Sequence, residues 1–230
     1  MSIKTELKKY TSPTKAKILK GFFKTGPGEY GAGDIFCGIT VPQIRKVARQ
    51  FINIDLSEVE ELLHSKIHEE RLAALLVLVD KFQKGSIGQK TAIYKLYLKN
   101  THYINNWDLV DLSSSKIIGA YLMGKNKAVL RRLAESKNLW ERRMAIVSTF
   151  YFIKHDEFMA TLQLTEILLQ DEHDLIHKAC GWMLRELGKK NQSLEEDFLK
   201  KHYCQIPRVM LRYAIERFPE DLRKQYLNKS

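Results

Sequence analysis

Stretches with one apolar face at helical spacing recur along this chain at nearly constant distances. Landmark residues in four of them are separated by 36, 36 and 35 residues: Arg71, Trp107, Arg143 and Lys178. None of these stretches shows the strict alternation of a strand. The period predicts an all-α fold: an α-solenoid, or α–α superhelix, of HEAT-like helical repeats with a basic concave face. A plain helical bundle is the alternative, and we expect residues 1–230 to form one domain.

The repeat depends on helices whose ends carry recognisable signals. Ser57, with Glu60 three residues later, fits a capping box, and Pro42 suits the first turn of a helix. The predicted apolar helices span 71–82, 107–122, 140–153, 176–187 and 208–218, and more polar ones span 56–66 and 127–136.

Composition narrows the class of protein. At 44% hydrophobic residues the chain can bury a sizeable core. Its three cysteines (Cys37, Cys180 and Cys204) are odd in number, widely spaced and outside any CxxC pair, which argues against a disulfide framework and against a zinc site. The N-terminus lacks a signal sequence and no segment approaches 18 apolar residues, so we expect a soluble cytoplasmic protein.

Positive charge is concentrated in two segments. The formal net charge is +11, and residues 1–24 carry seven lysines against one glutamate. Residues 123–143 carry seven lysines and arginines against two glutamates. Such clusters are typical of nucleic-acid binding, because each phosphate contact releases counterions. A membrane surface or an acidic protein partner would also suit them.

The segment KTGPGEYGAGDIF (24–36) contains Gly26, Gly28 and Gly31 in the spacing GxGxxG. A dinucleotide site with this pattern needs a strand before it and a helix after it. A lysine-rich helical stretch precedes it here, and Pro27 lies inside it. We therefore interpret the glycines as a tight loop between two helices, close enough to a ligand to contact its backbone.

The segment NNWDLVD (105–111) is the best candidate for chemistry. Asn105 or Asn106 can cap a helix, which places Trp107 and Asp111 one turn apart on one face. Asp108 lies nearer the cap, where a structural role is favoured by the helix dipole. Trp107, taken alone, would be interpreted as a side chain that packs in or near the core. Asp111, among Leu, Val and Ser, is the carboxylate that packing explains least.

Three further residues belong to the candidate set. Arg143 suits a phosphate contact or an ion pair with Asp111, with a solvated surface charge as the alternative. Its neighbour Arg142 points about 100° away on a helix. Trp182 would either pack or present its ring to the same groove.

The sequence has no HExxH and no GxSxG motif, so an enzyme here would use carboxylate, aromatic and arginine side chains, with no metal and no cofactor.

Together these segments resemble a known family. The residues FFKTGPGEYGAGDIFCGITVP, NNWDLVDLSSSKIIGAYL, WERRMAIVSTFYFI, HKACGWMLRELGKK and PRVMLRYAIERFPE are similar, in order and over nearly the whole chain, to AlkD-type DNA alkylation-repair glycosylases. The resemblance implies a bacterial, monomeric HEAT-like enzyme that excises cationic alkylpurines, such as N3-methyladenine and N7-methylguanine, from double-stranded DNA. A non-catalytic HEAT-like protein that binds DNA structures is the alternative, and a protein-interaction scaffold is a third.

The resemblance also implies roles for individual residues. Asp111 matches the catalytic aspartate, and Trp107, Arg143 and Trp182 match other residues of the active-site groove. Phe22 stands where some members have a tyrosine and lacks its hydroxyl. Further DNA contacts are expected from Phe22, Lys24, Arg45, Arg142, Lys178 and Arg185.

Overall fold

The computed structural model describes residues 2–228, and every regular element in that part of the chain is helical. One isolated parallel bridge joins Ile35 to Ile67. The prediction of an all-α helical-repeat fold is confirmed. Among these residues no helix is both long and apolar enough to cross a membrane. The chain divides between Ile117 and Ile118 into two compact units, and its assignment to one domain stays a prediction.

Unit 1 contains the helices that precede Ile117. They are α1 (Ile3–Lys8), α2 (Pro13–Phe22), α3 (Val41–Gln50), α4 (Leu56–Leu63), α5 (His68–Lys84), α6 (Ile87–Lys99) and α7 (Trp107–Ser114).

Unit 2 contains the helices that follow Ile118. They are α8 (Ala120–Leu122), α9 (Ala128–Ala134), α10 (Leu139–Lys154), α11 (Met159–Ile167), α12 (Asp174–Gly188), α13 (Gln192–Lys201), α14 (Arg208–Ala214) and α15 (Glu220–Asn228).

The core of unit 1 is built around α5. All eight residues from Leu72 to Val79 are buried, so this stretch of the helix is covered on every side. It packs against α3, α4, α6 and α7. Full burial of each large aliphatic side chain stabilises the fold by about 1.5–3 kcal/mol. The buried part of α5 therefore holds the side chains of its first turn in fixed positions.

The turn that leads into α5 is closed by a serine. Ser65 Oγ accepts from the amide of Ile67 at 3.0 Å and donates to the carboxylate of Glu70 at 2.6 Å. The carbonyl of Ser65 accepts from Arg71 Nη1 at 2.9 Å. These bonds give partners to polar groups at the start of the helix, where the backbone has no hydrogen-bond partner within the helix itself.

The same bonds recur 71 residues later, before α10. Ser136 Oγ accepts from the amide of Asn138 at 3.1 Å and donates to Glu141 at 2.5 Å. Arg142 Nη1 donates to the carbonyl of Ser136 at 3.1 Å. The repeat is thus visible in individual hydrogen bonds. In this repeat Arg142 occupies the position of Arg71. The sequence period had assigned that position to Arg143, so the observed register differs from the predicted one by one residue.

The helix-start predictions had mixed outcomes. Pro42 lies in the first turn of α3, as expected. The cap expected at Ser57 was wrong, because α4 begins earlier, with Asp55 as its N-cap and Glu58 completing the capping box. The earlier start adds a backbone bond from Val59 N to Asp55 O at 3.1 Å.

Helix α7 starts where the sequence predicts. Asn106 is its N-cap, and its side-chain oxygen accepts from the amide of Trp107 at 2.8 Å. The helical run predicted for 107–122 is present but not uniform. A π-helical turn, Ser115–Gly119, separates α7 from α8. Such turns insert one extra residue into a helix and often lie near functional sites.

Candidate active site

Trp107 and Asp111 line the same cavity in unit 1, whose volume is about 540 Å³. They lie one turn apart on α7, and both are half-buried. The opposite wall is formed by α2 and the segment that leads into α3. The apolar side chains of the cavity are Ile18, Leu19, Phe22, Phe23, Phe36, Ile39, Val41, Pro42, Ile44, Leu72 and Leu112. The carboxylate of Asp111 therefore belongs to a mostly apolar enclosure.

A row of aromatic rings supports Trp107. Its ring stacks on Phe23 with centroids 5.1 Å apart, and Phe23 stacks on Phe36 at 5.0 Å. Phe36 in turn stacks on the imidazole of His68 at 4.5 Å. Phe22, which is 60% exposed, meets Trp107 edge-on at 5.7 Å. The predicted grouping of Phe22, Trp107 and Asp111 is therefore seen in unit 1.

A buried charged cluster lies beneath this row. His68 Nδ1 is 3.1 Å from Asp34 Oδ2, and His68 Nε2 is 2.9 Å from Asp108 Oδ2. Arg71 Nη2 donates to Asp34 Oδ1 at 2.7 Å. All four side chains are buried. The cluster contains two acidic and two basic groups, so it is neutral when His68 is protonated.

The cluster shifts the pKa values of His68 and Asp34. Burial alone would lower the pKa of His68, but its hydrogen bonds to Asp108 and Asp34 raise the pKa above the ordinary value. Burial alone would raise the pKa of Asp34. The hydrogen bond from His68 and the charge of Arg71 outweigh burial and lower the pKa of Asp34. Opposite charges held this close favour the charged form of each partner.

Asp34 and Asp108 connect the cluster to the start of α7. Asp34 Oδ2 accepts from Asn106 Nδ2 at 3.4 Å, and Asp34 Oδ1 accepts from Asn105 Nδ2 at 3.5 Å. Asp108 Oδ1 accepts from the amide of Leu109 at 2.8 Å. The structural role expected for Asp108 agrees with these bonds. Sequence reasoning missed Asp34 and His68, and gave Arg71 no role in a site.

The cavity wall before α3 is fixed by Glu69. Its carboxylate, buried on α5, accepts from the amides of Cys37 at 3.0 Å, Gly38 at 2.8 Å and Ile39 at 3.2 Å. Gly38 has φ +80°, and a Cβ there would lie 2.1 Å from the carbonyl oxygen of Ser12. Glycine is therefore required where this segment passes the start of α2.

The glycine-rich segment forms the turn between α2 and α3. Gly31 donates to the carbonyl of Lys24 at 3.0 Å, and a Cβ on Gly31 would lie 2.4 Å from the carbonyl oxygen of Phe23. Gly26 N donates to Glu29 at 2.8 Å. A helix precedes the pattern, so the strand needed by a dinucleotide site is absent from this described segment. The expected tight loop between two helices is confirmed.

Arg143 and Trp182 lie in unit 2. Arg143 is buried near the start of α10, and its Nη1 donates to the carbonyl of Leu175 at 2.6 Å. Trp182, half-buried on α12, lies 5.7 Å from the ring of Phe150, over which Lys154 Nζ sits at 4.4 Å. Their shared groove with Asp111 stays a prediction.

The other expected DNA contacts vary in exposure. Arg142 forms a two-point ion pair with Asp171, with Nε 2.6 Å and Nη2 3.3 Å from its oxygens. Arg185 pairs with Glu216 and Glu186. Lys24 is exposed, whereas Arg45 and Lys178 are half-buried. The structure gives Arg142 and Arg185 protein partners, and DNA contact by all of these residues stays a prediction.

Over residues 2–228, no group of three His, Cys, Asp or Glu side chains is placed to hold a metal ion.

The profile of the family described as DNA alkylation repair enzyme matches residues 3–218. The chain belongs to this family. Membership in the DNA alkylation repair enzyme family supports a role in DNA repair, with DNA as the partner.

A solved structure agrees on the fold. It is described as a "Predicted DNA alkylation repair enzyme from Enterococcus faecalis", and it superposes with a TM-score of 0.70 at 17% identity, covering 91% of this chain and 97% of that one. No curated protein matches the chain significantly.

Proposed function

We propose that this member of the DNA alkylation repair enzyme family is a glycosylase. It hydrolyses the N-glycosidic bond of cationic alkylated purines, such as N3-methyladenine and N7-methylguanine, in double-stranded DNA. One observation carries the proposal: Asp111 and Trp107 lie one turn apart on α7 and line the same largely apolar cavity. An acidic group in such surroundings, within a chain of net charge +11, suits a site for positive charge.

The chemistry of the substrate determines what the site must supply. A purine alkylated at N3 or N7 is positively charged and is already a good leaving group, so no general acid is needed. Cleavage of its bond to the sugar builds oxocarbenium character on the sugar ring. A fixed carboxylate stabilises that charge more strongly in an apolar cavity than in water. Asp111 would do this and would also orient the attacking water.

Aromatic rings would add to binding of the cation. The faces of Trp107 and Trp182 suit a cation–π contact with the charged nucleotide. Arg143 and the lysine clusters would hold flanking phosphates. The roles of Trp107, Trp182 and Arg143 come from the resemblance, and that of the lysine clusters from the distribution of charge. Selectivity would then depend on the charge of the lesion, and neutral bases such as uracil and hypoxanthine would be poor substrates.

The first test measures release of N7-methylguanine from an alkylated duplex by the wild type and by Asp111→Asn. The substitution keeps the size of the side chain but removes its charge, so we expect excision to fall by about 100- to 1,000-fold. DNA affinity should change little, because phosphate contacts supply most of it. Asp80→Asn is the matched control, since Asp80 is half-buried on α5 and outside the cavity.

Each outcome separates two interpretations. Loss in Asp111→Asn alone would support the glycosylase and its site. Equal release by both proteins would keep the enzyme but reject Asp111 as its central carboxylate. Absence of release by the wild type, with DNA still bound, would favour a non-catalytic DNA-binding protein.

A further inference from the structure

We propose that His68 is a positioning residue of the candidate site. As an imidazolium held between two carboxylates, it fixes the first turn of α7 and, with it, Trp107 and Asp111. The inference rests on the proposed function, because it concerns the geometry of the same site. It assigns a role to the buried cluster beneath the aromatic row, which takes no direct part in the chemistry described above.

The geometry requires a charged imidazole. Both ring nitrogens of His68 face carboxylate oxygens, at 3.1 Å on Asp34 and 2.9 Å on Asp108. A neutral imidazole has one N–H and would leave one carboxylate oxygen facing a lone pair. The charged groups around the ring are Asp34 from the loop, Asp108 from α7 and Arg71 from α5. Since Arg71 supplies one positive charge, a neutral His68 would leave a net negative charge in a buried cluster.

A polar route leads from His68 to the backbone of α7. Asp108 binds His68 with one oxygen and the amide of Leu109 with the other. Asp34, the second carboxylate partner, accepts from Asn106, whose own oxygen accepts from the amide of Trp107. The orientation of the first helical turn is therefore tied to the imidazole on both sides.

An aromatic route reaches the side chain of Trp107. The imidazole of His68 stacks on Phe36, Phe36 on Phe23, and Phe23 on Trp107, with centroid separations of 4.5, 5.0 and 5.1 Å. His68 is also tilted against Phe23 at 5.1 Å. The ring of Trp107 thus depends on the same imidazole as its backbone.

Asp111 follows one turn after this anchored segment. A displacement of about 1 Å at a reacting group is enough to slow a reaction on the order of 100-fold. His68→Gln keeps a hydrogen-bonding side chain but removes the charge and one of the two opposed N–H donors. We expect it to release α7 from one carboxylate while leaving the apolar core intact.

The test compares His68→Gln with His64→Gln. His64 is a histidine of the same unit whose Nε2 lies 2.7 Å from a neutral amide oxygen, that of Asn100, and it does not line the cavity. Single-turnover excision of N7-methylguanine should fall about 10- to 100-fold in His68→Gln. The control should keep the wild-type rate, and the DNA dissociation constant should be unchanged in both.

The pH profile separates positioning from general loss of structure. In the wild type, excision should decline as pH rises through the raised pKa of His68, because the imidazolium is lost. That decline should be absent in His68→Gln. Asp34→Asn serves as a second variant if the first does not fold, and it should lower the excision rate in the same direction.

Nuclear magnetic resonance gives a readout that does not require activity. The ¹⁵N shifts of His68 should be those of an imidazolium at pH 7, and the indole N–H signal of Trp107 should move in His68→Gln but not in His64→Gln. If the wild type excises no base while these signals behave as stated, the proposed function fails and the positioning role stands. A neutral His68 at pH 7, or a wild-type excision rate in His68→Gln, overturns the inference.

Discussion

Each unit places a histidine beside carboxylates and an arginine, with opposite effects on the pKa of the ring. In unit 1, His68 lies between two carboxylates whose hydrogen bonds raise its pKa and so favour the imidazolium. In unit 2, burial lowers the pKa of His173. The positive charge of Arg142 lowers it further, against the opposing effect of Asp171. His173 Nδ1 accepts from the amide of Leu175 at 3.1 Å, capping α12 in its neutral form.

The difference shows that neighbouring groups can reverse the effect of burial on the pKa of a histidine. Where the neighbours are acceptors, as for His68, the cation is stabilised; where a neighbour is a donor, as for His173, the neutral ring is required. The two residues therefore respond to pH with opposite signs. The stability from His68 is present below about pH 6.5 and is lost as pH rises through its raised pKa. The stability from His173 is present above about pH 6.5 and is lost as pH falls through its lowered pKa.

The largest expected effect comes from removing one carboxylate in each unit. Asp34→Ala leaves Arg71 and His68 buried without a shared partner and should cost about 3–5 kcal/mol of unfolding free energy. Asp171→Ala should cost less, because Arg142 is 19% exposed and also donates to the carbonyls of Ser136 and Lys137. Urea unfolding of both variants provides the measurement. Equal losses would show that the fully buried cluster of unit 1 depends no more on its carboxylate than the partly exposed ion pair of unit 2 does.

A second prediction concerns Glu195 in unit 2. Burial and the charge of Glu196 raise its pKa to about 8, against the opposing effect of Arg185. The protonated form is favoured in the folded state, so its stabilisation is full below about pH 4.5 and is lost as pH rises through 8. We expect Glu195→Gln to remove a slope of about 1.4 kcal/mol per pH unit from the unfolding free energy between about pH 5 and 8.

Urea unfolding over that pH range measures the slope. Glu172→Gln is the control, because Glu172 is exposed in the same unit and should leave the slope unchanged. A wild-type slope that survives in Glu195→Gln would show that Glu195 is not the group that produces it.

The smallest expected effect on the unfolding free energy comes from replacing His173, and it tests the comparison between the two histidines. His173→Ala removes the cap of α12 and should cost about 1 kcal/mol at pH 8. The cost should shrink as pH falls through the lowered pKa of His173, because the wild-type ring then gains a proton and can no longer accept. His173→Asn should restore the cap without pH dependence. Thermal unfolding at pH 5 and pH 8 distinguishes these cases, and an unchanged cost at both pH values would rule out the neutral cap.

Local signals in the sequence predicted α7 well. Asn106 stands directly before an apolar helical period, and the spacing of Trp107 and Asp111 puts them on one face without knowledge of the rest of the fold. Two overlapping capping patterns misplaced the start of α4. Both Asp55 with Glu58 and Ser57 with Glu60 fit the rule, and the earlier pair prevails because it adds helical hydrogen bonds.

The charged cluster could not be predicted in the same way. Asp34, His68 and Asp108 are separated by 34 and 40 residues, and no periodicity relates them. A hint was present in the run HEER (68–71), where polar and charged residues directly precede the apolar run LAALLVLV (72–79). That run indicates a buried polar site only once α7 and the loop are known to lie beside it.

Helix α2 buries none of its ten residues, although it forms one wall of the cavity. Ile18 is 66% exposed, and the chain is tied down at the two ends of the helix, where Ser12 N donates to Cys37 O at 2.9 Å and Phe22 meets Trp107. Little apolar area is lost when such a helix opens, so its amide hydrogens should exchange with solvent long before those of α5. We therefore expect one wall of the cavity beside Trp107 to open by local fluctuation and the other to open only when the whole unit unfolds.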